Sequence, residues 1–202
     1  MIKNSNFIEL FYSCLIFLFI NKYTIKYIFV QNIIIFGGAG FIGTNLIKYL
    51  LDKDNKILCV DNLYTGQKSN IEYFSLNPKY MFFNFDITNN SYSSLKDIIG
   101  KYLNNHIDEI YNLACPASPP KYQKDPIYTI HCSLAVENIC KLAIDYNAKF
   151  LHASTSEVYG DPLIHPQPEN YKGNVNTVGP RSCYDKVNAL QKQLYMNILN
   201  LD

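Results

Sequence analysis

Short apolar runs alternate with segments of helical periodicity along most of the chain. Residues Asn32–Phe36 form an apolar run that ends at glycine, which is typical of a buried strand. Similar runs predict four more strands at Lys56–Val60, Lys79–Phe85, Glu109–Leu113 and Lys149–Ala153. All five are short enough to be strands of one sheet.

The segments between these runs carry apolar residues at the spacing of a helix. They predict helices at Gly43–Lys53 and Ser94–Leu103, a long helix within Pro126–Tyr146, and a helix from Tyr184 onward. Strands that alternate with helices favour the α/β class, with a Rossmann-type doubly wound parallel sheet. Residues 32–202 are therefore predicted to form one Rossmann domain.

Residues 1–31 precede this pattern and are strongly hydrophobic. The apolar run Leu10–Ile20 is shorter than the roughly 20 residues that a membrane-spanning helix needs. It suits a signal-peptide core or a signal anchor, and the alternative is a peripheral amphipathic helix. An anchor implies a Golgi or ER membrane with a lumenal domain; without one, the protein is expected in the cytoplasm.

Composition narrows the function classes. The chain has 18 Lys and Arg residues against 17 Asp and Glu residues, so its near-neutral net charge gives no reason to expect nucleic-acid binding. The six cysteines are scattered without a Cys-x-x-Cys pair, and we predict neither a metal site nor a disulfide framework. Most of them are expected to be small buried hydrophobic residues.

A glycine-rich turn directly follows the first predicted strand and opens the first helix. Glycine there permits the tight turn, the approach of backbone to a pyrophosphate and close helix packing. Asp61 ends the second strand, where a carboxylate binds adenosine ribose and favours NAD over NADP. Asp86, after the third strand, is a candidate for the adenine amino group or, alternatively, a helix cap. The expected cofactor contacts in the turn are Gly37, Gly40, Phe41, Ile42 and Gly43.

Four sequence segments carry a more specific resemblance. They are GGAGFIG, DNLYTGQK, LACPASPPKYQKDP, and the stretch from ASTSEVYGDP to RSCYD. Between Asn32 and Asp185 the chain resembles the UDP-glucuronic acid decarboxylases (UDP-xylose synthases) of the extended short-chain dehydrogenase/reductases. The resemblance implies a homodimer that converts UDP-glucuronate to UDP-xylose with tightly held NAD. Nucleotide-sugar epimerases and 4,6-dehydratases share the fold and are alternatives, although a dehydratase is expected to have Asp in place of Ser156.

The resemblance also implies roles for individual residues. Tyr184 would take the proton of the sugar 4-hydroxyl, and Thr155 would hydrogen-bond the reacting oxygen. Ser156 and Glu157 would act near C5 and the carboxylate. Further contacts to the adenosine ribose and phosphates are implied for Asp61, Asn62, Thr65, Gly66 and Lys68.

The chain departs from the family in two respects that bear on activity. Asn188 stands one helical turn after Tyr184, where the family has a lysine that lowers the pKa of the tyrosine. The C-terminal sugar-nucleotide part of the family is expected to be missing, which leaves the fifth strand without an outer neighbour. Three hypotheses remain: a decarboxylase-family enzyme, an NAD-binding pseudoenzyme with a regulatory role, and a membrane-anchored interaction protein.

Overall fold

The structure is a computed structural model that describes residues 30–88 and 92–199. The predicted signal anchor at Leu10–Ile20 lies outside these residues. Within them, no helix combines the length and the apolar character needed to cross a membrane.

Five strands form one parallel sheet in the order β3-β2-β1-β4-β5. The strand order reverses between β1 and β4, so the predicted doubly wound sheet is confirmed. The strands are β1 (Asn32–Phe36), β2 (Lys56–Asp61), β3 (Tyr80–Asn84), β4 (Glu109–Asn112) and β5 (Lys149–His152).

Seven α-helices and one 3₁₀-helix are present in the described residues. They are α1 (Phe41–Leu51), α2 (Lys68–Glu72), α3 (Tyr92–Leu103), α4 (Pro119–Lys124), α5 (Pro126–Leu134), α6 (Val136–Asp145), the 3₁₀-helix Ser156–Tyr159, and α7 (Ser182–Leu199). The sequence pattern did not predict α2, α4 or the 3₁₀-helix, because elements of four to six residues are too short to show a period.

The predicted long helix within Pro126–Tyr146 is wrong in one respect, because two helices occupy this stretch. The backbone N–H of Asn138 bonds the carbonyl of Ala135 at 3.1 Å, which is an i→i−3 bond. Such a bond tightens the turn and interrupts the regular α-helical ladder. Helix α5 therefore ends at Leu134, and α6 begins at Val136.

Alternate residues of the central strand enter two hydrophobic layers. Ile34 and Phe36 belong to the layer formed with α3 and α6, whereas Ile33 and Ile35 belong to the layer formed with α1 and α2. All four side chains are fully buried. Both faces of the sheet are covered, which explains why the strands read as continuous apolar runs.

The cysteines largely behave as predicted. Among the cysteines that the structure describes, Cys59, Cys132 and Cys140 are buried, and Cys115 and Cys183 are partly buried; Cys14 lies outside the described residues. Cys59 contributes directly to the core layer beside α1.

Strand β5 is an edge of the sheet. Among the described strands it pairs only with β4, and alternate residues along it are exposed. Leu151, for example, is half exposed.

Candidate functional site

A cleft of about 550 Å³ opens at the carboxyl ends of the strands, where the strand order reverses. It is lined by the turn after β1, the first turn of α1, the end of β2, the loop after β4 and the end of β5. Side chains of α5 and α7 also face it. This is the position at which open α/β sheets bind ligands, and the volume suits a small-molecule site.

The glycines of the turn after β1 meet different structural demands. Gly37 has φ +78°, and a Cβ there would lie 2.7 Å from the carbonyl carbon of Leu113. A Cβ on Gly43 would lie 2.4 Å from the carbonyl oxygen of Gly37. A Cβ on Gly40 would contact only that same oxygen, at 3.4 Å, and Gly40 lines the cleft. Gly37 and Gly43 are thus required by the fold, whereas Gly40 leaves backbone accessible to a ligand.

Asp61 pins this turn from the end of β2. One carboxylate oxygen accepts from the backbone N–H of Ala39 at 3.0 Å, and the other accepts from that of Leu63 at 2.7 Å. Burial raises the pKa of Asp61, while the hydrogen bonds from Leu63 and Ala39 act to lower it. Since each carboxylate oxygen has two lone pairs, the group can still accept from a ligand in the cleft.

Asp86 contacts the cleft through Asn62 rather than directly. The side-chain amide of Asn62 donates to Asp86 at 2.9 Å and contacts the hydroxyl of Tyr128. Asn62 and Tyr128 line the cleft, and Asp86 lies behind them. Burial alone would raise the pKa of Asp86, but hydrogen bonds from Thr88, Asn62 and Tyr128 outweigh it and lower the pKa.

The remaining residues predicted for the adenosine side divide into two groups. Thr65 lines the cleft, as do Phe41 and Ile42 of the first turn of α1. Gly66 instead packs on the turn, because a Cβ there would lie 2.7 Å from that of Ala39. Lys68 is exposed and pairs with Glu72 of the same helix at 3.4 Å.

Helix α7 brings the predicted catalytic tyrosine to the opposite wall. Tyr184 is buried, lines the cleft and stacks on Tyr122 with ring centroids 4.6 Å apart. Burial raises the pKa of Tyr184, and a side-chain hydrogen bond with Thr155 acts to lower it. Asn188 also lines the cleft and donates its side-chain N–H to the backbone carbonyl of Tyr184 at 2.8 Å.

Ser156 and Glu157 lie in the 3₁₀-helix beside the start of α7, outside the lining of the cleft. Ser156 is exposed, and Glu157 pairs with the guanidinium of Arg181 at 3.0 Å. Arg181 also lies 3.8 Å from the buried carboxylate of Asp185. Thr155 thus lies next to Tyr184, whereas Glu157 forms an ion pair with Arg181.

Sequence reasoning missed several lining residues. Lys121 lies on α4 within the segment LACPASPPKYQKDP, and Tyr128 lies on α5 just after that segment. Tyr122, also in the segment, stacks its ring on that of Tyr184. His152 ends β5 just as Asp61 ends β2, so its place at a strand terminus was a usable signal. The resemblance implied no role for it.

Comparison with known proteins defines the family. Residues 34–200 match the family model described as GDP-mannose 4,6 dehydratase. The chain belongs to this family.

Relatives of the chain carry decarboxylase names. UDP-glucuronic acid decarboxylase 5 of Arabidopsis thaliana is 44% identical over 158 residues, which are 77% of this chain and 43% of the relative. UDP-glucuronic acid decarboxylase 1 of Danio rerio is 41% identical over 157 residues, which are 77% of this chain and 35% of the relative. The chain thus spans less than half the length of these relatives.

Solved structures share the fold. The UDP-Glc/GlcNAc 4-epimerase of Campylobacter jejuni superposes with a TM-score of 0.68 at 22% identity, covering 83% of this chain and 48% of the epimerase. The dTDP-glucose 4,6-dehydratase of Bacillus anthracis, solved in complex with NAD, gives a TM-score of 0.62 at 25% identity, with 82% and 49% covered. These likenesses support the Rossmann-type fold of the chain.

Proposed function

We propose that this cleft binds NAD and that the chain is the dinucleotide-binding part of an enzyme converting UDP-glucuronate to UDP-xylose. One observation carries the proposal: the glycine turn pinned by Asp61 and the phenol of Tyr184 line the same cleft. The decarboxylase names of the relatives support the substrate. The related dehydratase solved in complex with NAD supports the cofactor.

The residues present fit a dinucleotide. The first-turn N–H groups of α1 have no intrahelical acceptors and suit a pyrophosphate, and Gly40 leaves room for its approach. Asp61 can accept from ribose hydroxyls with its remaining lone pairs. Its negative charge would repel a 2′-phosphate, so NAD is favoured over NADP.

The opposite wall suits proton transfer from a sugar hydroxyl. When bound, NAD would supply reversible hydride transfer at sugar C4: oxidation there makes the substrate a β-keto acid that can lose CO₂, and after protonation at C5 the hydride returns to C4, so that NAD is regenerated. Tyr184 would take the hydroxyl proton, and Thr155, which hydrogen-bonds this phenol, would orient it. The resemblance implies that Ser156 and Glu157 act near C5 and the carboxylate; both lie on the 3₁₀-helix outside the lining of the cleft, so Glu157 would have to leave its ion pair with Arg181 to do so.

Asn188 favours a second candidate function, an NAD-binding protein without turnover. In the position where the resemblance implies lysine, the Asn188 amide donates to the carbonyl of Tyr184 and brings no charge. Burial meanwhile raises the pKa of the phenol, away from that of a base active near neutral pH. General-base catalysis is worth about 10²–10⁴-fold, and much of it is expected to be absent.

Binding and turnover should be measured separately. Calorimetry should show NAD binding tighter than NADP binding, and nucleotide-sugar chromatography should report UDP-xylose formed from UDP-glucuronate. Asn188→Lys should raise turnover if the decarboxylase proposal holds, and Tyr184→Phe should abolish it while leaving NAD bound. NAD binding without turnover in any variant would favour the second candidate, and absence of NAD binding would refute both.

Since the chain covers less than half of its relatives, the test also needs the rest of the fold. A fusion of residues 32–202 to the C-terminal portion of a related decarboxylase should gain more turnover than Asn188→Lys alone, because positioning can lower a barrier by roughly 7–11 kcal/mol. Pairing of two copies and membrane anchoring through Leu10–Ile20 stay predictions. Light scattering tests the first of them.

A further inference from the structure

A chain of hydrogen bonds crosses the floor of the cleft at its β5 side. The side-chain amide nitrogen of Asn112, at the end of β4, lies 3.0 Å from Nδ1 of His152, at the end of β5. Nε2 of His152 lies 3.0 Å from the side-chain oxygen of Gln191 on α7. Asn112 and Gln191 are almost fully buried, so each depends on these partners for satisfaction.

The direction of these bonds follows from a neighbouring one. The side-chain oxygen of Asn112 accepts from the backbone N–H of Ala114 at 3.2 Å. This leaves the Asn112 amide N–H to donate to Nδ1 of His152, so Nδ1 must be an unprotonated acceptor. Nε2–H then donates to Gln191. The neutral Nε2–H tautomer of His152 satisfies every member of the chain, whereas a protonated Nδ1 would face another donor.

Gln191 stands on the same face of α7 as the two residues that line the cleft. Tyr184, Asn188 and Gln191 follow at i, i+4 and i+7, which places them along one helical stripe. The bond from His152 therefore attaches that stripe to the carboxyl ends of β4 and β5.

We propose that His152 is a positioning residue that, through Gln191, holds Tyr184 and Asn188 against the cleft and thereby sets its affinity for a dinucleotide. The inference rests on the proposed function for its ligand, although the attachment of α7 can be tested without one. His152 acts in its neutral form, so protonation should loosen α7 and weaken binding.

His152 is a candidate sensor on the acid side of neutrality. Burial lowers the pKa of His152, and the bond with Gln191 acts to raise it. Burial raises the pKa of Cys115 and Cys132 to about 12, and it also raises the pKa values of Tyr128 and Tyr184. The other titratable side chains lining the cleft are Asp61, Tyr64, Cys115, Lys121, Tyr128, Cys132 and Tyr184.

The strands and helices packed against β5 place few other charged groups near His152. Glu109 and Lys149 pair at the opposite, amino ends of β4 and β5. On α6, Glu137 pairs with Lys141 on the exposed side, and burial raises the pKa of Cys140 to about 11. Asp145, at the end of α6, pairs with Lys96 of α3. On the acid side, the titrations of Asp61 in the cleft and of Asp185 on α7 must be separated from that of His152, because burial raises the pKa of both carboxyl groups.

The test uses the whole 202-residue chain and three substitutions. His152→Leu removes both ring bonds, His152→Gln can restore one of them, and His131→Leu removes an exposed imidazole from α5 as the matched control. Hydrogen exchange of residues 184–191 should accelerate about tenfold in His152→Leu, partly recover in His152→Gln, and stay unchanged in His131→Leu. Unchanged exchange in His152→Leu would overturn the proposal.

Two further measurements distinguish a failure of the inference about His152 from a failure of the proposed function. Long-range proton–nitrogen correlation spectra of the unmodified chain should show the Nε2–H tautomer for His152, and an Nδ1–H tautomer would overturn the bonding. The NAD dissociation constant should rise about tenfold in His152→Leu, and its rise at acid pH in the unmodified chain should disappear in the variant. Persistence of that acid-side change would assign it to a carboxyl group, Asp61 or Asp185, and contradict the proposal. If the unmodified chain binds no NAD, the proposed function fails, and hydrogen exchange still decides whether His152 holds α7.

Discussion

Replacing Gly40 by alanine separates the requirements of the fold from those of the ligand. Gly40 has φ −77° and ψ 172°, which any residue can adopt, and its added Cβ would touch only the carbonyl oxygen of Gly37, at 3.4 Å. We expect the free energy of unfolding to fall by less than about 1 kcal/mol, the ordinary difference between glycine and alanine at a helix N-cap.

The same methyl group would stand where backbone is accessible at the N-terminus of α1. Hydrogen bonds to a charged group are worth about 1.5–3 kcal/mol each, so losing one or displacing the pyrophosphate should weaken NAD binding by roughly 10–100-fold. Calorimetric titration with NAD and urea unfolding of the same preparation measure the two quantities.

Two other substitutions calibrate this result. Gly43→Ala should lose both stability and binding, since its Cβ would lie 2.4 Å from one backbone atom and 2.6 Å from another. Overpacking of this kind costs about 1–3 kcal/mol. Gly100→Ala, in α3, would meet only the side-chain end of Asn105 at 3.0 Å and should leave NAD binding unchanged. If Gly40→Ala binds NAD as tightly as the unmodified chain, no phosphate approaches this turn and the reasoning is refuted.

Three further predictions follow from the structure. Asp61→Ala should lower the free energy of unfolding by roughly 2–4 kcal/mol, because the N–H groups of Ala39 and Leu63 lose a charged acceptor. The same substitution should weaken the binding of NAD more than that of NADP, and equal effects on the two dinucleotides would contradict the ribose role of Asp61. The pKa of His152 is lower in the folded state than its unfolded value of about 6.5, so the free energy of unfolding should fall as the pH drops below 6.5 and level off below the folded-state pKa. Denaturation of His152→Leu at a series of pH values should lack this decrease. A pH profile identical to that of the unmodified chain would argue against the prediction. A reporter fused to residues 1–31 should sediment with membranes and resist carbonate extraction if Leu10–Ile20 is an anchor, and a soluble reporter would remove the anchor.

The sheet could be predicted from the sequence because its strands are buried on both faces. Continuous apolar runs such as Asn32–Phe36 have few other interpretations, and the glycines after β1 mark the turn into α1. The same reasoning located Asp61 at the end of the second strand, whereas Tyr184 was identified through the resemblance; both line the cleft.

The hydrophobic and polar pattern of the sequence could not predict contacts between distant segments. The network of Asn62, Asp86 and Tyr128 joins three separate loops and helices, and no periodicity reports it. The bond between His152 and Gln191 depends on how α7 packs against the end of β5. Likewise, the ion pair of Glu157 with Arg181 depends on the fold of the loop between β5 and α7.

Because β5 is paired on one side only within the described sheet, its outer edge is a template for another parallel strand. That strand can belong to the same chain or to another molecule. In the second case two polypeptides would complete one sheet only while they are associated. Such an assembly would part on dilution and re-form on concentration, so every property that needs the completed sheet would depend on protein concentration.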